Sequence, residues 1–241
     1  MLLLTLLFSV VLAVAARPTS FVLIGDSTTN NNTVPNSGGW GNGFCASLVE
    51  GTPCINTAHD GATTGSFVAQ GLFNISLAAI KNEVANGRRT LVTIQFGHND
   101  MKIAPPESMG ANLTAMIQQI RAINGEPVLI TSLTRRNFNA DGTINDTLGP
   151  WANETILIAH EQHTHLLDLH AASIKYVEEI GPEAAHRLNR TPDDTTHLNP
   201  NGTIVFGRLV ADLMAKSFPG QLPIVPNPPL TYNITHGISS F

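Results

Sequence analysis

Apolar and polar positions follow two different rhythms along this chain. Short, nearly continuous apolar runs occur at Phe21–Ile24, Cys54–Asn56, Thr90–Phe96, Pro127–Leu133 and His165–Leu169. Runs of that length, bounded by turn residues, read as strands buried on both faces. Between them, apolar residues recur three or four apart: Trp40, Phe44 and Leu48; Phe73, Leu77, Ile80 and Val84; Leu113, Met116, Ile117, Ile120 and Ile123. That spacing predicts helices, the third of them stopped by Gly125. Further helices are expected around Trp151 to Ala159, from about Ala171 to Ile180, and through Ile204, Leu209 and Leu213. The last opens with Asn199 as N-cap and Pro200 at the first helical position. From Pro219 the chain is Pro-rich and expected to be extended. Strands alternating with helices imply βαβ units and a parallel sheet. The expected fold class is α/β, a three-layer α/β/α arrangement with a five-stranded, flavodoxin-like parallel sheet and no second domain.

Right-handed crossovers place every strand's C-terminal end on one rim of such a sheet. Polar residues with useful chemistry follow those ends. Gly25-Asp26-Ser27-Thr28 follows the first strand, the small-residue loop His59 to Thr64 the second, Gly97-His98-Asn99-Asp100 the third, and Thr134-Arg135-Arg136 the fourth. A Ser after a strand is ordinarily a turn or cap residue, and Asp26 is suited to fixing that turn through backbone N–H groups. The segment Asp194-Thr195-Thr196-His197 changes the picture. A hydroxyl needs a base to take its proton, and an imidazole base needs a partner to fix its tautomer. Residues three apart in a turn share a side, so Asp194 is placed to orient His197; Asp193 is a rival with a less apt spacing. Acyl transfer also needs donors for an oxyanion. The Ser27 and Gly61 backbone N–H groups and the Asn99 amide are available on the same rim.

Composition bounds the rest. The chain has 241 residues, a formal net charge of -5 and only 13% charged residues. Without a basic run to neutralise phosphates, nucleic-acid binding is excluded as a leading reading. Residues 1–16 form an apolar run ending in small residues, which reads as a cleaved signal peptide, with a retained anchor as the weaker alternative because no basic n-region precedes it. Residues 17–218 are expected to form one catalytic domain and 219–241 a Pro-rich tail. A secreted, extracellular product with no membrane attachment after signal cleavage is expected. Sequons at Asn31, Asn74, Asn112, Asn145, Asn153, Asn189, Asn201 and Asn233 suit a secreted glycoprotein. The only cysteines are Cys45 and Cys54; an oxidising compartment favours a disulfide between them over two buried thiols. The His160, His163 and His165 cluster lacks metal-site spacing, so no metal and no cofactor is expected, and the chain is expected to be a monomer.

Gly25-Asp26-Ser27-Thr28, Gly61, Phe96-Gly97-His98-Asn99-Asp100 and Asp194-x-x-His197 resemble the four sequence blocks of the SGNH (GDSL-type) hydrolases. Thr28 together with the Phe96 to Asp100 block is most similar to the rhamnogalacturonan acetylesterases. The resemblance spans about residues 20–217 in motif order. It implies serine ester hydrolysis, with Ser27 as nucleophile, His197 as base, Asp194 as its orienting acid, and Ser27, Gly61 and Asn99 as oxyanion donors. The loop after Asp100, Met101 to Gly110, departs from that subfamily by lacking the Gly that often follows the block. For an acetylated, uronate-containing polysaccharide substrate, Arg135 and Arg136 are candidate carboxylate ligands, with a solvated loop pair as the alternative. Trp40 offers a sugar-stacking face, but its spacing with Phe44 and Leu48 favours the core.

Overall fold

A computed structural model describes residues 17–31 and 36–241. The expected signal segment lies outside the described residues. Five strands form one parallel sheet: β1 (Thr19–Gly25), β2 (Cys54–Asn56), β3 (Arg89–Gln95), β4 (Glu126–Ile130) and β5 (His165–Leu167), in the order β2-β1-β3-β4-β5. The expected α/β/α layering is present. Alternate strand residues feed two separate cores. Phe21, Leu23, Leu91, Val128 and Ile130 face one; Val22, Ile24, Val92, Ile94 and Leu129 face the other. Burial on both faces is why these strands are apolar throughout rather than alternating.

The first core lies under α1 (Trp40–Cys45), α6 (Leu169–His186), α7 (Pro200–Ser217) and α8 (Pro228–Thr235). The second lies under α2 (Thr64–Ala69), α3 (Leu72–Ala85), α4 (Pro106–Ala122) and α5 (Gly149–Glu161). Helix α6 is interrupted at Gly181, whose φ of 77° and ψ of 166° are not helical, so its first segment ends where the periodicity ends, at Ile180. It starts earlier than expected because Asp168 accepts from the Ala171 N–H as an N-cap, which also ends β5 at Leu167. Strand β4 likewise stops before Leu133. Beyond it Ser132 Oγ donates to Phe96 O, and the Thr134 N–H donates to Ser173 Oγ, so side chains replace the ladder.

The tail differs from the expected extended segment. Pro228 and Pro229 open α8 at positions that need no donor, Asn227 Oδ1 accepts from the Leu230 N–H, and Ile234 is buried against the first core. Thr231 Oγ1 donates to Asp212 Oδ2 at 2.8 Å, fastening α8 to α7. A disulfide joins Cys45 at the end of α1 to Cys54 at the start of β2.

Helices α1 and α7 meet backbone to backbone. A Cβ on Gly43 would strike the Thr203 carbonyl, and one on Gly207 would strike the Gly43 backbone. Gly207→Ala is therefore expected to cost about 1–3 kcal/mol through overpacking. Thermal unfolding should show a midpoint lowered by roughly 3–10 °C.

Candidate active site

Strand β1 ends at Gly25, and the chain turns at once. Asp26 O accepts from the Thr29 N–H at 3.1 Å and the Asn30 N–H at 3.0 Å. Asp26 Oδ1 accepts from the Thr28 N–H at 2.9 Å, the turn-fixing role its sequence position suggests. Ser27 sits in that turn, 7% exposed. Its Oγ lies 3.0 Å from His197 Nε2, across 170 residues of chain. His197 Nδ1 lies 2.9 Å from Asp194 Oδ2, and Asp194 Oδ1 accepts from the His197 N–H at 3.0 Å. Facing a carboxylate, Nδ1 carries the proton, and Nε2 is left as the acceptor for the Ser27 hydroxyl. Burial pushes the Asp194 carboxyl up, but hydrogen bonds from His197 and Thr196, with the His197 charge, hold it below the usual range. Asp193 is exposed and makes no bond to the ring.

Gly61 has a φ of +74° in the exposed turn closed by the Ala62 N–H to His59 O bond at 3.2 Å. A side chain there would be strained. Neither the Ser27 N–H nor the Gly61 N–H has a hydrogen-bond partner among the described residues. Asn99 is nearly buried, and its Nδ2 donates to Ala62 O at 3.1 Å. Asp100 ties the two loops together: its Oδ1 accepts from the Thr64 N–H at 3.0 Å and Thr64 Oγ1 at 2.6 Å. Burial raises the Asp100 carboxyl above its usual range, the Thr64 donors offsetting part of that rise.

Beneath the nucleophile turn lies a buried polar layer that the sequence reading did not find. Gln95 Oε1 accepts from Thr29 Oγ1 and Trp40 Nε1, both at 2.9 Å, with Thr28 Oγ1 at 2.8 Å. Trp40 is wholly buried and offers no stacking face. The signal for Gln95 was an amide at the end of a strand buried on both faces. The Asp26 carboxylate lies 3.6 Å from His98 Nδ1, both fully buried or nearly so. Burial pushes Asp26 up, yet His98 and the Thr28 donors together hold it below the ordinary range.

The two arginines part company. Arg135 is half-buried at the rim, with Nη2 3.4 Å from His98 O and Nη1 3.5 Å from Thr147 Oγ1. Burial lowers its guanidinium from the usual value, while the Asp26 carboxylate pulls it up. Arg136 is not at the rim at all. It is fully buried, Nε donating to Asn189 Oδ1 and Nη2 to His197 O at 2.8 Å, with the guanidinium 5.9 Å from the centre of the Phe206 ring. Burial brings it down to about 9, and Asp194 works in the opposite direction; it remains a cation at neutral pH. As a substrate ligand Arg136 is therefore replaced by a support for the segment that carries His197. Asn189, one of the sequons, is buried in the same contact.

A parallel sheet with a hydrogen-bonded Ser–His–Asp row on its C-terminal rim has the geometry that acyl transfer requires. The chain belongs to the GDSL-like lipase/acylhydrolase family, whose model matches residues 23–203, and it is a carboxylic ester hydrolase. It is 33% identical over 214 residues to the rhamnogalacturonan acetylesterase RhgT of Bacillus subtilis, covering 81% of this chain and 89% of that protein. To the probable rhamnogalacturonan acetylesterase YesY of the same organism it is 27% identical over 200 residues, covering 78% and 89% respectively. Among solved structures, YxiM of Bacillus subtilis superposes with a TM-score of 0.73 at 22% identity, over 86% of this chain and 59% of that longer one.

Removing the buried Arg136 guanidinium leaves Asn189 Oδ1 and His197 O without it. Arg136→Met is expected to destabilise the fold by about 2–4 kcal/mol in urea titration, whereas Arg135→Ala should shift it by less than about 1 kcal/mol.

Proposed function

We propose that this chain is a secreted serine esterase that removes acetyl groups from plant cell-wall polysaccharide, with pectic rhamnogalacturonan as its substrate. The observation that carries the reading is the Ser27–His197–Asp194 row, with contacts of 3.0 and 2.9 Å, on the rim where Gly61 and Asn99 also stand. The names of RhgT and YesY favour rhamnogalacturonan over other acetylated polymers. His197 Nε2 takes the Ser27 proton as Oγ attacks the ester carbonyl carbon. The oxyanion is met by the Ser27 and Gly61 N–H groups and the Asn99 amide. The C–O bond to the sugar breaks as His197 protonates the departing sugar oxygen. Water, deprotonated by His197, then attacks the acetyl-enzyme; acetate leaves and Ser27 regains its proton. Asp194 stays ionised and stabilises the imidazolium formed in both halves. No metal or cofactor enters this scheme.

Secretion is supported by the Cys45–Cys54 disulfide and by the exposed sequon asparagines Asn31, Asn74, Asn145 and Asn153. No described helix is long and apolar enough to cross a membrane. The protein acts as a monomer on its polymer.

Acetate release from acetylated rhamnogalacturonan, acetylated xylan and a small chromogenic acetyl ester tests the reading. The rhamnogalacturonan substrate should show the highest kcat/KM, and Ser27→Ala should lose hydrolysis on all three together with covalent labelling by a serine-directed phosphonate. Equal or better turnover of xylan would overturn the substrate; a Ser27→Ala enzyme that kept its activity would overturn the mechanism. Arg135 is proposed to meet a uronate carboxylate. Arg135→Ala should raise KM on acetylated pectin roughly tenfold, by the loss of one charged hydrogen-bond partner, and leave the neutral ester unchanged. Equal effects on both substrates would refute that role.

A further inference from the structure

The Asn99 amide is gripped at both ends. Nδ2 gives one hydrogen to Ala62 O at 3.1 Å, and Oδ1 accepts from Lys102 Nζ at 2.9 Å. Lys102 closes a 3-10 turn, Asp100–Lys102, whose backbone returns over Asn99 through a Lys102 N–H to Asn99 O bond of 3.1 Å. The lysine thus reaches the amide from three residues on, within a single turn.

An amide has two orientations of nearly the same shape, with O and N exchanged. An ammonium only donates and a carbonyl only accepts. Exchanging the Asn99 atoms would set Oδ1 against the Ala62 carbonyl and Nδ2 against the Lys102 cation. Both ends reject that orientation. In the one that remains, the second Nδ2 hydrogen has no protein partner among the described residues. A cation on the amide oxygen also draws charge from the amide and strengthens its N–H as a donor. No carboxylate pairs with Nζ among the described residues, so an ion pair does not blunt that charge.

We propose that Lys102 is a positioning residue for ester hydrolysis: it locks and polarises the Asn99 amide so that the second Nδ2 hydrogen meets the oxyanion. The proposal rests on the reading of Asn99 as an oxyanion donor.

The test uses the full chain and a small neutral chromogenic acetyl ester, which leaves polysaccharide contacts out of the comparison. Lys102→Met keeps the aliphatic stem and removes the donor. Its kcat should fall about tenfold with KM within about twofold, a fraction of what losing the whole oxyanion donor costs. Lys102→Arg, which restores a cationic donor, should recover most of kcat. Asn99→Ala should lose roughly 10²–10³-fold in kcat, and adding Lys102→Met to it should change kcat by less than about twofold, because the lysine acts only through the amide. An unchanged Lys102→Met enzyme beside a crippled Asn99→Ala enzyme would overturn the positioning role alone. An equal Lys102→Met loss with and without Asn99 would overturn it too, by showing a general effect on the fold. If Asn99→Ala kept full kcat, the oxyanion reading itself would fall.

Discussion

The site depends on how closely α1 can approach α7. Ser27 and His197 are 170 residues apart; His197 sits just ahead of α7, and the turn that holds Ser27 is hydrogen-bonded to the start of α1. The segment after the Ser27 turn enters α1 through a Trp40 N–H to Thr28 O bond at 2.8 Å. His197 precedes α7, whose N-terminus is capped by Asn199. Where the helices cross, Gly43 and Gly207 leave no room for a Cβ on either side. A second link, the Gly38 N–H to Leu198 O bond at 3.1 Å, joins the two approaches directly. The separation of nucleophile and base is thus set by backbone contact, the least compliant spacer in a protein interior. A hydrogen bond between two unsupported loops would drift; one between segments tied to two helices in contact stays within the tolerance that acyl transfer needs.

Polarity is buried beneath this frame in a graded way. Gln95 collects hydroxyl and indole donors from both the nucleophile turn and α1, so the turn cannot tilt without stranding them. The Asp26 carboxylate is balanced by His98 and Thr28 rather than by solvent. Arg136 supports the base from behind, through the His197 carbonyl, with its charge shielded by the Phe206 ring and by Asn189. The Ser27 turn and the His197 segment therefore each have a buried support of their own, Gln95 for the first and Arg136 for the second.

Much of this was legible in the sequence because the signals were local or periodic. The continuous apolar runs marked five strands, GDS and GHND marked two of the loops that follow strands, and D-x-x-H marked the segment ahead of α7, by residue type. The positions that escaped are those where the deciding partner is remote. Arg135 and Arg136 look alike in sequence, yet consecutive residues leaving a strand point to opposite sides. Which one faces inward depends on Asn189 and the His197 carbonyl, more than fifty residues on. Gln95 was hidden for the same reason, its donors being Thr29 and Trp40. The tail was read as extended from its prolines. Proline at the first turn of a helix carries no penalty, and the Asp212 and Ile234 contacts that hold α8 cannot be seen along the chain.

Asn189 shows how tightly the base is bound to the core. Its sequon is as good as any other in the chain, but its side chain is buried against Arg136 and its backbone N–H donates to His186 O at 3.0 Å. A glycan there would have to displace the guanidinium that steadies His197. The exposed sequon asparagines Asn31, Asn74, Asn145 and Asn153 carry no such conflict. Surface chemistry and site geometry are thus separated by burial: the sequon asparagines that stand exposed are those on which the Ser27–His197 distance does not depend.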